Sequence, residues 1–285
     1  MAATLDILLL RSFVTVARAG SFRSAALRVG RTQSAVSLQM KRLEEIVGER
    51  LFHRTGSGVV LTVAGERFLP GAERILAAHD ETLENIGSEE LQGSIVFGCP
   101  EDYLTAFFPD LLRRFGAAHP GIEIEIVSAP TVELQPLLQQ RRVDLALVSV
   151  PETAGAGEVI RREPLVWIAS AEAPAPVGAA VLPLALSGPG TLDHQEARRA
   201  LDAAGRSYRV VHVSNGLAGL LAIARSGLAI SIVTRAAVPG DLAIVEKGLP
   251  PLPEIGVSLA YASTRPSRAV RSFGSFIEEN LGPEV

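Results

Sequence analysis

At 285 residues the chain is too long for the usual single domain and suits two or three, each able to bury its own core. Hydrophobic residues make up 47% and charged residues 20%, yet no apolar run approaches the roughly 18 to 20 residues that span a bilayer as a helix, so no membrane-spanning helix is expected. The net charge of -4 conceals an asymmetry: residues 1 to 62 hold nine Lys and Arg against four Asp and Glu, a balance of +5, and the remainder carries -9. A basic head on an acidic body fits a polyanion-binding module joined to a domain that does not bind polyanions.

The opening MAATLDILLLRSF has an apolar patch, but Asp6 precedes it, Arg11 follows it, and it shows neither a basic start nor a small-residue cleavage site. A cytoplasmic protein is therefore expected. Leu5, Leu8, Leu9, Phe13, Val16 and Ala17 recur at three and four, which predicts an amphipathic helix ending near Gly20. Ser21 suits the N-cap of a short second helix over Phe22 to Val29, and Gly30 supplies the turn after it. Thr32 then caps a third helix that turns Ala35, Val36, Met40, Leu43 and Ile46 inward and leaves Gln33, Ser34, Ser37, Leu38, Lys41 and Arg42 largely outward.

Helix, short turn, helix is the helix-turn-helix layout. Helices in the major groove read base edges with their N-terminal residues, for which Gln33, Ser34 and Ser37 supply short donors and acceptors. Lys41 and Arg42 suit phosphates, although a solvated charged pair accounts for either one equally well. Leu51-Phe52, a GSG tip at 56 to 58 and Val59 to Leu61 predict a small hairpin, or wing, with Arg54 and Thr55 at its base. Thr62 caps a helix from about Val63 to Ile86, with Phe68, Leu69, Ile75, Leu76, Leu83 and Ile86 as its apolar seam and Pro70 bending it or removing one hydrogen bond. So small a head is not expected to bury that seam, which should pair with a second copy and make a dimer that reads two half-sites.

SFRSAALRVGRTQSAVSLQMKRLEEIVGERLFHRTGSGVVLTVAGE strongly resembles the winged helix-turn-helix of LysR-type transcriptional regulators. Ala-Ala, Gln-Ser-Ala-Val-Ser, Arg-Leu-Glu, Leu-Phe, Arg and Leu-Thr-x-Ala-Gly recur there in this order and spacing. By position, the resemblance implies base contacts from Gln33, Ser34 and Ser37 and backbone contacts from Thr32, Arg31, Lys41 and Arg54, with Arg42 and Thr55 beside them. Leu38 departs from the basic or polar residue many members carry, and could touch a thymine methyl instead.

From Gly93 onward strands and helices alternate, as a parallel sheet requires. The first unit reads as strands over 94–98, 122–129 and 144–150 with helices over 104–118 and 132–141. The second reads as strands over 165–170, 181–186, 208–214 and 227–233 with helices over 194–204 and 217–226, before a strand over 257–263 and a helix over 267–280. Cys99, the one cysteine, ends the first strand, as a small core residue or a redox sensor. Two small sheets joined by two chain crossings would leave a cleft at the strand ends.

This pattern, with phrases such as HPGIEIE and RVDLALVS, is similar to the effector domain of LysR-type regulators, itself built like a type II periplasmic binding protein. CPEDYLT with RREPLVW resembles a branch that includes motility and virulence regulators. The fold class implied is α/β with an all-α, winged N-terminal head: a winged helix-turn-helix over 1–62, a linker and dimerisation helix over 63–90, and a two-lobed effector domain over 91–285. Lobe I takes about 91–164 and 264–285, and lobe II about 165–263. The implied cleft has Glu101, Asp102, Tyr103 and Thr105 on one wall, Ser128, Thr131 and Ser149 nearby, and Ser214 and Asn215 opposite. Glu101 and Asp102 put carboxylates at a helix start, as simple caps or as ligand groups, so a neutral or amine-bearing effector is expected rather than a plain carboxylate.

The partners implied are double-stranded promoter DNA, a small-molecule effector, a homodimer or homotetramer and RNA polymerase, with no cofactor, no metal and no membrane. Effector binding would shift the bodies, and with them the spacing and bend imposed by the heads. The rival is a two-lobed α/β enzyme carrying a DNA-binding head. Five scattered histidines, no GxSxG and no phosphate-cradling glycine loop speak against it, SGPGT at 187 to 191 reading as a turn.

Overall fold

The structure, a computed structural model, describes residues 4–56, 58–84, 91–153, 159–172 and 176–282. The chain forms two compact units, one of residues 1–91 with 140–142 and 265–268, the other of the remainder.

Capping sets the head. Asp6 accepts from the Leu8 N–H at 2.8 Å to start α1 (Ile7–Ala19), which stops at Gly20 with φ 64°. Ser21 accepts from Ser24 N at 3.0 Å to start α2 (Phe22–Arg28), and Thr32 accepts from Ala35 N at 3.2 Å to start α3 (Gln33–Val47). Each cap satisfies one of the N–H groups that a helix start leaves orphaned. Leu10, Phe13, Val16, Val36 and Leu43 are fully buried between these helices, each contributing roughly 1.5–3 kcal/mol.

The wing is β1 (Phe52–Thr55) against β2 (Gly58–Leu61), antiparallel. Val59 N donates to Gly20 O at 2.8 Å, which stitches the wing to the turn between α1 and α2. One expectation changes here. The register pairs Arg54 with Val59 and Thr55 with Gly58, so Arg54 and Thr55 stand beside the wing's tip rather than at its base. Ser57, at the tip itself, lies outside the described residues.

Thr62 starts α4 (Val63–Glu84): its hydroxyl accepts from Gly65 N at 3.0 Å and donates to Arg50 O at 2.7 Å. The helix continues through Pro70. Its first half does find cover in the head, contrary to expectation. Leu69, Ala72 and Leu76 are buried with the α1 core and the Phe68 ring meets Phe13 at 5.2 Å, because α4 packs along α1. Arg18 pairs with Glu73 at 3.4 Å, and Arg11 with Asp80, across the same contact. Ile75 is left exposed. Ile86, the rest of 85–90 and the side chain of Leu83 lie outside the described residues.

In the second unit β3 (Gly93–Cys99), α5 (Glu101–Ala118), β4 (Ile122–Ser128), α6 (Thr131–Gln139) and β5 (Leu145–Val150) make lobe I, with β3 parallel to both β4 and β5. β6 (Arg161–Ser170) then crosses to lobe II, where β7 (Leu182–Leu186), α7 (Leu192–Ala203), β8 (Tyr208–Val213), α8 (Leu217–Arg225), β9 (Ile230–Thr234) and the short β10 (Leu242–Ile244) follow. β11 (Glu254–Tyr261) returns, and α9 (Arg268–Leu281) ends on lobe I, where Phe273 meets Phe97 and Phe115.

The strand order is β4-β3-β5-β11-β6-β9-β7-β8, with β10 on β6. The sheets are therefore mixed rather than parallel, since β11 runs antiparallel to both β5 and β6, and β6 antiparallel to β9. The second lobe was expected to extend to 263, but Ser258 to Tyr261 pair with β5. That stretch belongs to lobe I.

Candidate nucleic-acid interface and ligand cavity

Amphipathic spacing decides which side of α3 faces out. With Val36, Met40 and Leu43 held in the core, Gln33, Ser34, Leu38, Lys41 and Arg42 are exposed and Ser37 is half-buried among them. Gln39, on the same helix, stands apart from this set, because its Oε1 accepts from Ser12 Oγ at 2.8 Å. Thr32 is exposed at the helix start, where its hydroxyl sits 3.0 Å from Ser34 Oγ. Arg31, Arg54 and Thr55 are exposed as well, and the Arg54 guanidinium rests 5.9 Å from the centre of the Phe22 ring. Two of the head's nine cations, Arg11 and Arg18, are taken up by α4. Lys41 makes only a 4.0 Å pair with Glu45, both well exposed, worth little in water.

Between the lobes lies a cavity of about 530 Å³. It gathers Glu101, Asp102, Ser128, Thr131, Ser149 and Asn215, six of the nine residues expected at the cleft. Three fall outside it. Tyr103 is fully buried in the core and reaches the wall only through its hydroxyl, 2.8 Å from Ser149 Oγ. Thr105 faces solvent one turn on, donating to Glu101 O at 2.7 Å, and Ser214 turns back on its own chain to donate to Gly216 O at 3.1 Å. The helix period moves Tyr103 and Thr105 off the wall, because α5 begins at Glu101 rather than at 104.

Sequence reasoning missed Glu133, Ser187, Thr191, Asp193 and Thr234, which also line the cavity. The stretch read as a turn at 187 to 191 ends β7 and leads into α7, so both its hydroxyls are presented there, 2.5 Å apart. Ser187 Oγ donates to Asp193. Glycine-bearing turns between a strand and a helix were the available signal.

Polar contacts cross the cleft. Leu217 N, at the start of α8, donates to Glu101 Oε2 at 2.6 Å; Thr234 Oγ1 donates to Asp102 Oδ2 at 3.1 Å; Asn215 Nδ2 donates to Glu133 Oε1 at 3.4 Å. Burial pushes the Asp102 carboxyl up from 3.8 to about 6, opposed by the Thr234 hydroxyl and the Tyr103 N–H and reinforced by the charge of Asp193. Cys99 is fully buried and its thiol is held well above its ordinary range, first by burial and then by Asp102. It is a core residue whose surroundings disfavour the thiolate.

Residues 7–66 match the bacterial regulatory helix-turn-helix protein model of the lysR family, and residues 88–282 the LysR substrate binding domain. The chain is 50% identical over 280 residues to the HTH-type transcriptional regulator DgdR of Burkholderia cepacia, covering 98% of this chain and 95% of that protein. It is 32% identical over 252 residues to PecT of Dickeya dadantii, covering 88% and 79%. Among solved structures, full-length OxyR from Pseudomonas aeruginosa, a cysteine variant, superimposes with a TM-score of 0.68 at 22% identity over 99% of both chains. CbnR complexed with its target DNA gives 0.55 at 20% identity over 97% and 100%. These two likenesses concern the fold.

Proposed function

The chain belongs to the LysR family of bacterial helix-turn-helix transcription regulators, and from that premise we propose how its residues divide the work. It is a DNA-binding transcription regulator with a C-terminal effector-binding domain, and relatives that match most of its length are named as regulators rather than enzymes. No described helix is long and apolar enough to cross a membrane.

Gln33, Ser34 and Ser37 read base edges in the major groove, with Leu38 against a thymine methyl. Thr32, Arg31, Lys41, Arg42, Arg54 and Thr55 hold phosphates. The observation that carries this division is the outward row of short polar side chains on α3, flanked by exposed cations on a head whose balance is +5. Two heads act together through the later part of α4, where Ile75 is exposed, and the acidic bodies assemble the dimers into a tetramer that engages RNA polymerase. Glu101, Asp102, Ser128, Thr131, Ser149 and Asn215 form the effector site. The effector acts by binding one arrangement of the assembly more tightly than the other.

Fluorescence anisotropy on a cognate promoter duplex and a scrambled duplex, across a salt series, tests the roles. Arg54→Ala should weaken both about tenfold and lower the salt slope by about 1. Ser37→Ala should narrow the gap between the two duplexes by about 1 kcal/mol while leaving the melting temperature unchanged. An Arg54→Ala variant that changed only sequence preference would reverse the assignments.

A further inference from the structure

The cavity's charge is one-sided. Among its described lining residues are four carboxylates, Glu101, Asp102, Glu133 and Asp193, and no Lys, Arg or His. An incoming carboxylate needs a cation or a free N–H at a helix start. Two such places are engaged, Glu101 accepting from Leu217 N at the start of α8 and Asp102 from the Tyr103 N–H in the first turn of α5, and Asp193 puts a third carboxylate in the first turn of α7. An anion here would meet the protein's own carboxylates where a donor should be.

The four acids are not equivalent. Glu101 and Glu133 are spent on contacts that cross the cleft, to Leu217 N and to Asn215. Asp102 accepts from the Thr234 hydroxyl and the Tyr103 N–H, and Asp193 from the Ser187 hydroxyl. A carboxylate accepts several hydrogen bonds, so each keeps capacity for another donor. They come from opposite lobes, and the charge of Asp193 helps raise the Asp102 carboxyl. Around them Leu165, Leu192, Leu220, Ile232 and Ile255 give the cavity an apolar wall.

We propose that the effector of this cavity carries an ammonium group, seated between Asp102 and Asp193, on a compact apolar body that lies against Leu165, Leu220, Ile232 and Ile255. The proposal rests on the cavity being the effector site. The cavity volume of about 530 Å³ suits a small metabolite. A cation bound between the two carboxylates removes their mutual repulsion and draws the lobes together, so ligand binding is coupled to lobe closure. An ammonium has three donors and no acceptor, which matches a site supplied with acceptors from both sides.

Calorimetric titration of the full chain at neutral pH with butylamine, α-aminobutyrate, butanol and butyrate tests this, with promoter affinity measured on the same samples. At least one of the two ammonium compounds should bind, and at least about tenfold more tightly than butanol, with butyrate weaker still. Asp193→Asn and Asp102→Asn should each weaken that binding about tenfold, their melting profiles showing that the fold is kept. Butyrate binding as tightly as the better of the two ammonium compounds, ammonium binding indifferent to both substitutions, or no heat from either ammonium compound would overturn the assignment. Failure of the regulator reading looks different: the wild-type chain would then not distinguish promoter from scrambled duplex, whatever the ligands do. An ammonium ligand that binds without changing promoter affinity supports the ligand class and removes the cavity's regulatory role.

Discussion

Gly65→Ala should abolish specific duplex binding by unfolding the head. Gly65 sits in the first turn of α4, donating to Thr62 Oγ1 at 3.0 Å. A Cβ built there overlaps the Leu51 carbonyl oxygen and comes within 2.9 Å of Leu61 Cδ2. That carbonyl already accepts from Thr62 N at 3.0 Å, so neither partner can retreat without breaking the junction of wing and helix. Overpacking of this kind costs about 1–3 kcal/mol where side chains can give, and more where backbone must. A head of this size has roughly 4–10 kcal/mol in all. Gly71→Ala is the control: the same helix, with nothing within 4 Å of the added carbon, should gain about 0.5–1 kcal/mol. Circular-dichroism melting of both variants decides, and equal melting temperatures would refute the packing account.

Asp102→Asn is expected to stabilise the effector body at neutral pH and to flatten its response to acid. The carboxyl of Asp102 is raised from 3.8 to about 6 in the folded protein, so the fold binds this proton more tightly than the unfolded chain does. Its contribution is therefore favourable below about pH 4, shrinks as pH rises, and has become a full penalty above about pH 6. A shift of this size corresponds to on the order of 3 kcal/mol, which solvent entering through the cavity reduces to about 1–2. Removing the charge should raise the body's melting temperature at pH 7.5 by about 3–8 °C and remove most of the difference between pH 4 and pH 6. A variant no more stable than wild type, with its pH profile intact, would show that the burial of this carboxylate is already compensated. Carboxylates held at such a cost belong to ligand sites more often than to scaffolds.

The head was legible because its determinants are local. Ser21, Thr32 and Thr62 announce helix starts, Gly20 and Gly30 announce stops, and the period of Val36, Met40 and Leu43 fixes which side of α3 faces out. The partner of a helix is a different matter. Nothing in the seam of α4 says whether Leu69 and Leu76 meet a second copy or, as they do, the residues of α1. In the body the strands were visible as apolar runs, but the antiparallel return of β11 between β5 and β6 joins residues about a hundred apart, which composition does not encode. The cavity shows the same divide. Glu101 and Asp102 were found from their place after a strand, whereas Asp193 and Thr234 become neighbours of Asp102 only when lobe II folds over lobe I.

β6 and β11 bind the lobes in a way that limits their freedom. Each is a single extended strand, β6 pairing with β11 over Arg161–Pro164 and with β9 over Leu165–Ile168. Along β6 and β11 themselves, among the described residues, the crossing is hydrogen-bonded strand rather than a loop that could swing like a door. The two strands instead form a torsion bar, and the lobes can change angle only by twisting a hydrogen-bonded ribbon whose neighbours are close-packed. Occupancy of the cavity must then be transmitted as a small, stiff rotation, one that depends on leverage across an assembly rather than on amplitude within a subunit.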